Sequence, residues 1–193
     1  MVRPEECIIG FGIPLSEEAF RRHLQDSECR DFVKSQRLTW EKYRYLFADP
    51  CAKVLKHLQT WGVTVVEELT LPRLTAIFLH PPRVIILFAH WSDADGTVEL
   101  AEGLVASEQI AAVVPGDYAG IFDLCVCHPR NLVVLLKEKC SDCLVKFTDI
   151  NADALSWIYL YEVLFKILST QPTDYFEALA NAFKTLSDTD ESI

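Results

Sequence analysis

Val84-Ile85-Ile86-Leu87-Phe88-Ala89, closed by His90, is the stretch that decides the fold. Its side chains are apolar at odd and even positions alike until the histidine. A strand with one face in water alternates apolar and polar residues. A strand apolar on both faces is covered on both, as in a parallel sheet held between helices. His80-Pro81-Pro82 lies just upstream, and proline does not continue a ladder. A second run of the same character spans Ala119 to Val126, with Ile121-Phe122-Asp123-Leu124-Cys125-Val126 at its centre and Cys127 after it. Between the two runs, Ala94–Gly96 reads as a turn, Val105–Val113 as a short helix opened by Ser107-Glu108, and Pro115-Gly116-Asp117 as a loop. That connection is long enough for a crossover, so the two strands can lie parallel in one sheet.

Working outward, Val63–Leu69 is a β-branched run and Leu74–Leu79 a further short apolar run of strand length. Leu132–Lys137 fits a helix and Cys143–Thr148 a short strand. Asn151-Ala152-Asp153 caps a long helix with Leu155, Ile158, Tyr159, Val163, Leu164, Ile167 and Leu168 as its core residues, and Tyr175–Leu186 is the last helix. Residues 15–60 read as helical. Ser16 is an N-cap followed by Glu17 and Glu18, where the helix dipole favours acids. Phe20, Leu24, Phe32 and Val33 give a stripe, and Asp49-Pro50 starts a helix that stops at Gly62. The alternation of strands and helices from 63 onward predicts an α/β fold, a three-layer α/β/α sandwich with a mostly parallel sheet. The expected organisation is a helical segment at 1–62 packed on the core, an α/β domain at 63–186 and a flexible acidic tail at 187–193.

Composition narrows the function. The chain has 193 residues, enough for one domain of ordinary size. It is 50% hydrophobic and 24% charged, which excludes intrinsic disorder. A formal net charge of −10 repels phosphate backbones, so nucleic acid is not the expected partner, and anionic lipid is disfavoured for the same reason. No apolar run approaches the ~20 residues of a membrane span. The opening Met-Val-Arg-Pro-Glu-Glu lacks the apolar stretch of a secretory signal. Cysteines at 7, 29, 51, 125, 127, 140 and 143 give no regular disulfide framework, and a reducing cytoplasm is the expected compartment. Cys140-Ser141-Asp142-Cys143 has the spacing of half a zinc site or of a redox pair, but the second half is missing. No metal or cofactor is expected.

The carboxyl ends of parallel strands share one edge of an open α/β sheet, and such folds carry their sites there. His90 and Cys127 follow the two central runs, so they are candidates for a base and a nucleophile. The alternative is that Cys127 is a small apolar filler, as buried free cysteines commonly are. His128 is a rival base beside the nucleophile. Asp123, Cys125 and Cys127 share strand parity, and a carboxylate inside an apolar strand needs a partner. Loop amides or Arg83 could supply it.

Ile85-Ile86-Leu87-Phe88-Ala89-His90 resembles the strand that ends in histidine in CHAT-type peptidases, relatives of caspases and separases. Ile121-Phe122-Asp123-Leu124-Cys125-Val126-Cys127 resembles their cysteine strand and places Cys127, not Cys125, at the nucleophile position. Asp95-Gly96 and Leu104–Ile110 look like that family's hairpin and following helix, Cys140–Thr148 like its next strand, and Ala154–Leu168 with Asp174–Leu186 like its paired closing helices. The likeness covers roughly 83–186. It implies a caspase-like fold and a cysteine endopeptidase with Cys127 as nucleophile and His90 as imidazole partner. Backbone N–H groups at Trp91 and Cys127 would form the oxyanion site. It further implies a protein substrate and a partner protein that activates or scaffolds the enzyme in a bacterial defence or signalling system. Related peptidases hold an acid in the specificity pocket. Asp123 is the candidate here, with Asp93 and Asp95 as rivals. Trp91 stands where the family usually has glycine after the histidine, and His128-Pro129-Arg130-Asn131 where it has glycine after the cysteine. These departures leave a non-cleaving interaction subunit as the alternative.

Overall fold

The computed structural model describes residues 1–25, 38–92, 96–148, 154–171 and 173–190. Its strands are Cys7–Phe11 (β1), Thr64–Glu67 (β2), Val84–Phe88 (β3), His90–Ser92 (β4), Thr97–Leu100 (β5), Gly103–Ala106 (β6), Ile121–Cys125 (β7) and Leu144–Phe147 (β8). Five of them form one sheet in the order β2-β1-β3-β7-β8, and each neighbouring pair is parallel. Strands β4, β5 and β6 make a small antiparallel sheet inserted between β3 and β7. The helices are Glu17–His23 (α1), Trp40–Tyr43 (α2), Asp49–Thr60 (α3), Leu71–Ile77 (α4), Ser107–Val113 (α5), Arg130–Lys139 (α6), Ala154–Thr170 (α7) and Tyr175–Asp190 (α8), with a π-helical turn at Arg44–Ala48 joining α2 to α3.

The two-faced character of β3 explains the three layers. Val84, Ile86 and Phe88 join one apolar cluster with Cys7, Ile9 and Phe11, covered by α3, α7 and α8. Ile85, Leu87 and Ala89 join the opposite cluster, covered by α4, α5 and α6. Every residue of β3 and β7 is buried. The period of two sends successive side chains to opposite faces, so an all-apolar strand has to be covered twice.

Local chemistry sets the helix starts. Ser16 Oγ accepts from the N–H of Ala19 at 3.1 Å and caps α1. Thr70 caps α4, with Pro72 in its first turn. Pro50 likewise lies in the first turn of α3.

The structure differs from the sequence reading in several places, one of them Val105–Val113, where Val105 and Ala106 belong to β6 and the helix is Ser107–Val113. Cys7–Phe11, inside the segment read as helical, is a strand in the middle of the sheet, hydrogen-bonded to both β2 and β3. Residues 1–62 therefore build part of the sheet as well as helices packed on it. The apolar run Leu74–Leu79 is mostly helix, because Thr70 and Pro72 nucleate a turn ahead of it. In α7, Ile158, Leu164 and Leu168 are buried as expected and Leu155, Val163 and Ile167 pack against the core, while Tyr159, also expected inside, is 43% exposed. Helix α8 continues to Asp190, into the stretch expected to be loose. Phe32, Val33, Cys29 and the Asn151–Asp153 cap lie outside the described residues. Among the described residues no helix is long and apolar enough to cross a membrane.

Candidate functional site

Parallel pairing of β3 and β7 puts Phe88 opposite Cys125, so the two strands finish side by side. The Ala89 N–H still reaches the Cys125 carbonyl, at 3.3 Å. One residue further, β3 gives way to His90. Two residues beyond β7 comes Cys127. His90, Cys125, Cys127, Thr148 and Trp157 all line one small cavity at this carboxyl edge, with a volume of about 30 Å³. Ile13, just after β1, lines it too. The edge lies beside the point between β1 and β3 where strand order reverses, the usual place for a site in an open α/β sheet.

Of the two cysteines in the cavity wall, Cys125 is 6% exposed and Cys127 is partly exposed. Burial pushes the Cys125 thiol well above its ordinary range, and the Lys146 ammonium only partly opposes this. A thiol held protonated is a poor nucleophile. After Cys127 the chain turns sharply. His128 adopts φ +47°, a left-handed conformation that L side chains seldom take, and the Arg130 N–H bonds back to its carbonyl at 2.9 Å. Helix α6 starts at once. Strand β7 ends at Cys125, and His128 sits in the turn that follows it. It is not among the residues lining the cavity.

His90 is partly buried, and burial lowers its imidazole pKa; the Glu99 carboxylate raises it and His23 lowers it further. Glu99 stands directly opposite His90 in the β4–β5 ladder. On its other side, Glu99 Oε1 lies 3.0 Å from His23 Nε2, with both side chains largely buried. Trp91 pairs with Val98 in the same ladder, so its backbone belongs to a fixed strand.

Asp123 is not at the cavity. It is fully buried one turn of the pleat below. Its carboxylate is taken by Lys146 Nζ at 2.8 Å and by the Tyr175 hydroxyl, which donates at 2.7 Å. Lys146 is its cross-strand neighbour on β8, and the ammonium also lies 4.2 Å from the centre of the Trp157 ring. The partner is thus neither a loop amide nor Arg83, and a neutralised, enclosed carboxylate is not available to a substrate. Asp93 and Asp95 lie outside the described residues. Cys140 and Cys143 are buried thiols, and the Cys140 Sγ–H donates to the Leu136 carbonyl at 3.1 Å. Among the described residues no group of three or more metal-ligating side chains comes together.

The sequence alone did not point to Glu99, His23 or Lys146. Glu99 had a weak signal, since it is the polar member of Thr97-Val98-Glu99-Leu100 in a hairpin whose other strand begins at His90. His23 had none, because only tertiary packing carries α1 to that hairpin. No protein-family model matches the chain, and no curated protein matches it.

Proposed function

We propose that the chain is a cysteine endopeptidase of the CHAT/caspase-like type, with Cys127 as nucleophile and His90 as its acid–base partner. One observation carries the reading: a thiol and an imidazole that follow the ends of neighbouring parallel strands line the same cavity at the carboxyl edge of the sheet. Attack of the Cys127 thiolate on a peptide carbonyl forms the S–C bond and moves the π electrons onto oxygen. Backbone N–H groups at Trp91 and Cys127 would stabilise that oxyanion, and their availability does not depend on side-chain identity. The His90 imidazolium then protonates the departing amine as the C–N bond breaks. Water, deprotonated by His90, hydrolyses the thioester and regenerates the thiol. The substrate is a protein chain, and neither metal nor cofactor takes part. Acidic pocket residues for side-chain selection would be Asp93 and Asp95.

The narrowness of the cavity favours two further elements of the reading. A space of about 30 Å³ holds about one water molecule, so a peptide needs the site opened. A partner protein that opens it would be the activator, in a bacterial defence or signalling setting. The same narrowness favours the second reading, a non-cleaving caspase-like interaction subunit. Brief exposure to iodoacetamide followed by peptide mapping separates them. Selective alkylation of Cys127 that is lost in His90→Ala supports the peptidase. A Cys127 no more reactive than the buried thiols supports the interaction subunit.

A further inference from the structure

Two contacts favour the charged form of His23. Its Nδ1 lies 3.1 Å from the Ala19 carbonyl oxygen, and its Nε2 lies 3.0 Å from Glu99 Oε1. Both neighbours are acceptors. A neutral imidazole has only one N–H, so one of these contacts would set a lone pair against an oxygen. With Glu99 ionised, an imidazolium removes that clash, and the buried pair is then an ion pair of His23⁺ with Glu99⁻. Glu99 in turn faces His90 across the β4–β5 ladder, where the Cβ atoms of opposed residues lie about 4.5–5.5 Å apart. Glu99 thus stands beside two histidines, one of which lines the cavity with Cys127. Among the described residues, Tyr43 is a further titratable group near the carboxylate, and its hydroxyl donates to the Pro14 carbonyl at 2.8 Å. Near His90 on the cavity side are Cys125 and Cys127.

We propose that Glu99 is a positioning residue for His90, holding the ring and favouring its imidazolium, and that the buried His23 cation sets how much of that carboxylate's charge His90 receives. The proposal deepens the cysteine-peptidase reading and rests on it for its catalytic meaning. A carboxylate beside the imidazole stabilises the imidazolium that must form as the thiolate is made. A cation on the carboxylate's far side weakens this. Removing the two partners must therefore move His90 in opposite directions, which loss of packing alone does not do.

The test is an NMR titration of the His90 ring in the full chain. In Glu99→Gln the imidazolium fraction at pH 6.5 falls at least about twofold. In His23→Gln it rises. In Glu99→Asp, which keeps the charge, it stays near wild type. If Glu99→Gln does not fold, the upward shift in His23→Gln and the near-wild-type Glu99→Asp carry the test. A His90 titration unchanged in the foldable variants, or shifted the same way in both Gln variants, overturns the proposal. The same titration in Cys127→Ala separates the two readings. A His90 that ignores the loss of Cys127 while still showing the opposed shifts removes the peptidase reading and leaves the electrostatic coupling.

Discussion

At the residue scale, burial sorts the thiols. Cys51 is fully buried and desolvation pushes it to about 12, while Cys143 is pushed to about 11. Cys7 and Cys125 are raised as well, again mainly by burial. Cys127 is the partly exposed one among the described cysteines. At pH 8, iodoacetamide should modify Cys127 at least about tenfold faster than Cys7, Cys51, Cys125, Cys140 or Cys143, since the thiolate is the reacting form; mass mapping of brief exposures reads the order directly. The same shifts bear on stability. A thiol whose folded pKa is raised stabilises fully below its unfolded value of about 8.5 and loses that contribution as pH rises toward the folded value. Urea unfolding should therefore become easier above about pH 8.5, and a Cys51→Ala/Cys143→Ala protein should show a shallower alkaline decline. Asp123 and Lys146 behave differently, because each neutralises the other out of water. Asp123→Ala strands a buried ammonium and should cost about 3–5 kcal/mol. In a chain of this size that lowers Tm by roughly 6–20 °C by calorimetry.

At the element scale, the antiparallel insert β4–β6 holds the histidine. Its seat on the main sheet depends on Gly12, just after β1. The Gly12 N–H bonds the Phe88 carbonyl at 2.8 Å, and a Cβ added there would meet the Glu99 carbonyl oxygen at 3.0 Å and the Leu100 Cα at 3.3 Å. Those are backbone atoms, so the insert itself must give. Gly12→Ala should destabilise by about 1–3 kcal/mol. It should also displace the His90 ring resonances in NMR spectra while leaving those of the distant His57 in place. Unfolding at an unchanged urea midpoint with unmoved His90 signals would refute the close seat. On the other strand, the left-handed His128 turns the chain from β7 into α6 within a few residues, and this leaves Cys127 at the strand–helix junction.

At the scale of the whole molecule, acid should weaken the fold through His90. Its folded pKa is lowered, chiefly by burial, below the unfolded value of about 6.5. Between those two values the unfolded chain binds more protons, so the stabilisation is complete above about pH 6.5 and is lost as pH falls through the folded value. The slope from one such group cannot exceed about 1.4 kcal/mol per pH unit. Comparing urea unfolding of wild type and His90→Gln between pH 7 and 5 should show a flatter profile in the variant. An identical slope would remove His90 from the acid response.

The two central strands β3 and β7 were legible because two-faced apolar runs have one physical solution, burial on both sides; the insert β4–β6 between them was not, since its short strands carry no such run. The same rule holds for Cys7-Ile8-Ile9-Gly10-Phe11, which forms β1, but that run is short and a helical periodicity over 15–60 follows it directly. His90 and Cys127 were legible as strand-end residues, since chain order alone puts the carboxyl ends of parallel strands on one edge. The carboxylate Asp123 was legible as needing a partner, yet the partner depended on which strand became its neighbour. Sequence by itself determined the layering, the parallel sheet and the edge on which reactive groups emerge, because these follow from periodicity and chain direction. Only the tertiary structure decided that Lys146 and Tyr175 enclose Asp123, that Cys125 is buried in the cavity wall while Cys127 is partly exposed there, and that His23 and Glu99 meet beside His90. Those outcomes rest on contacts between residues far apart in the chain, and on the loss of water around them, which no local pattern encodes.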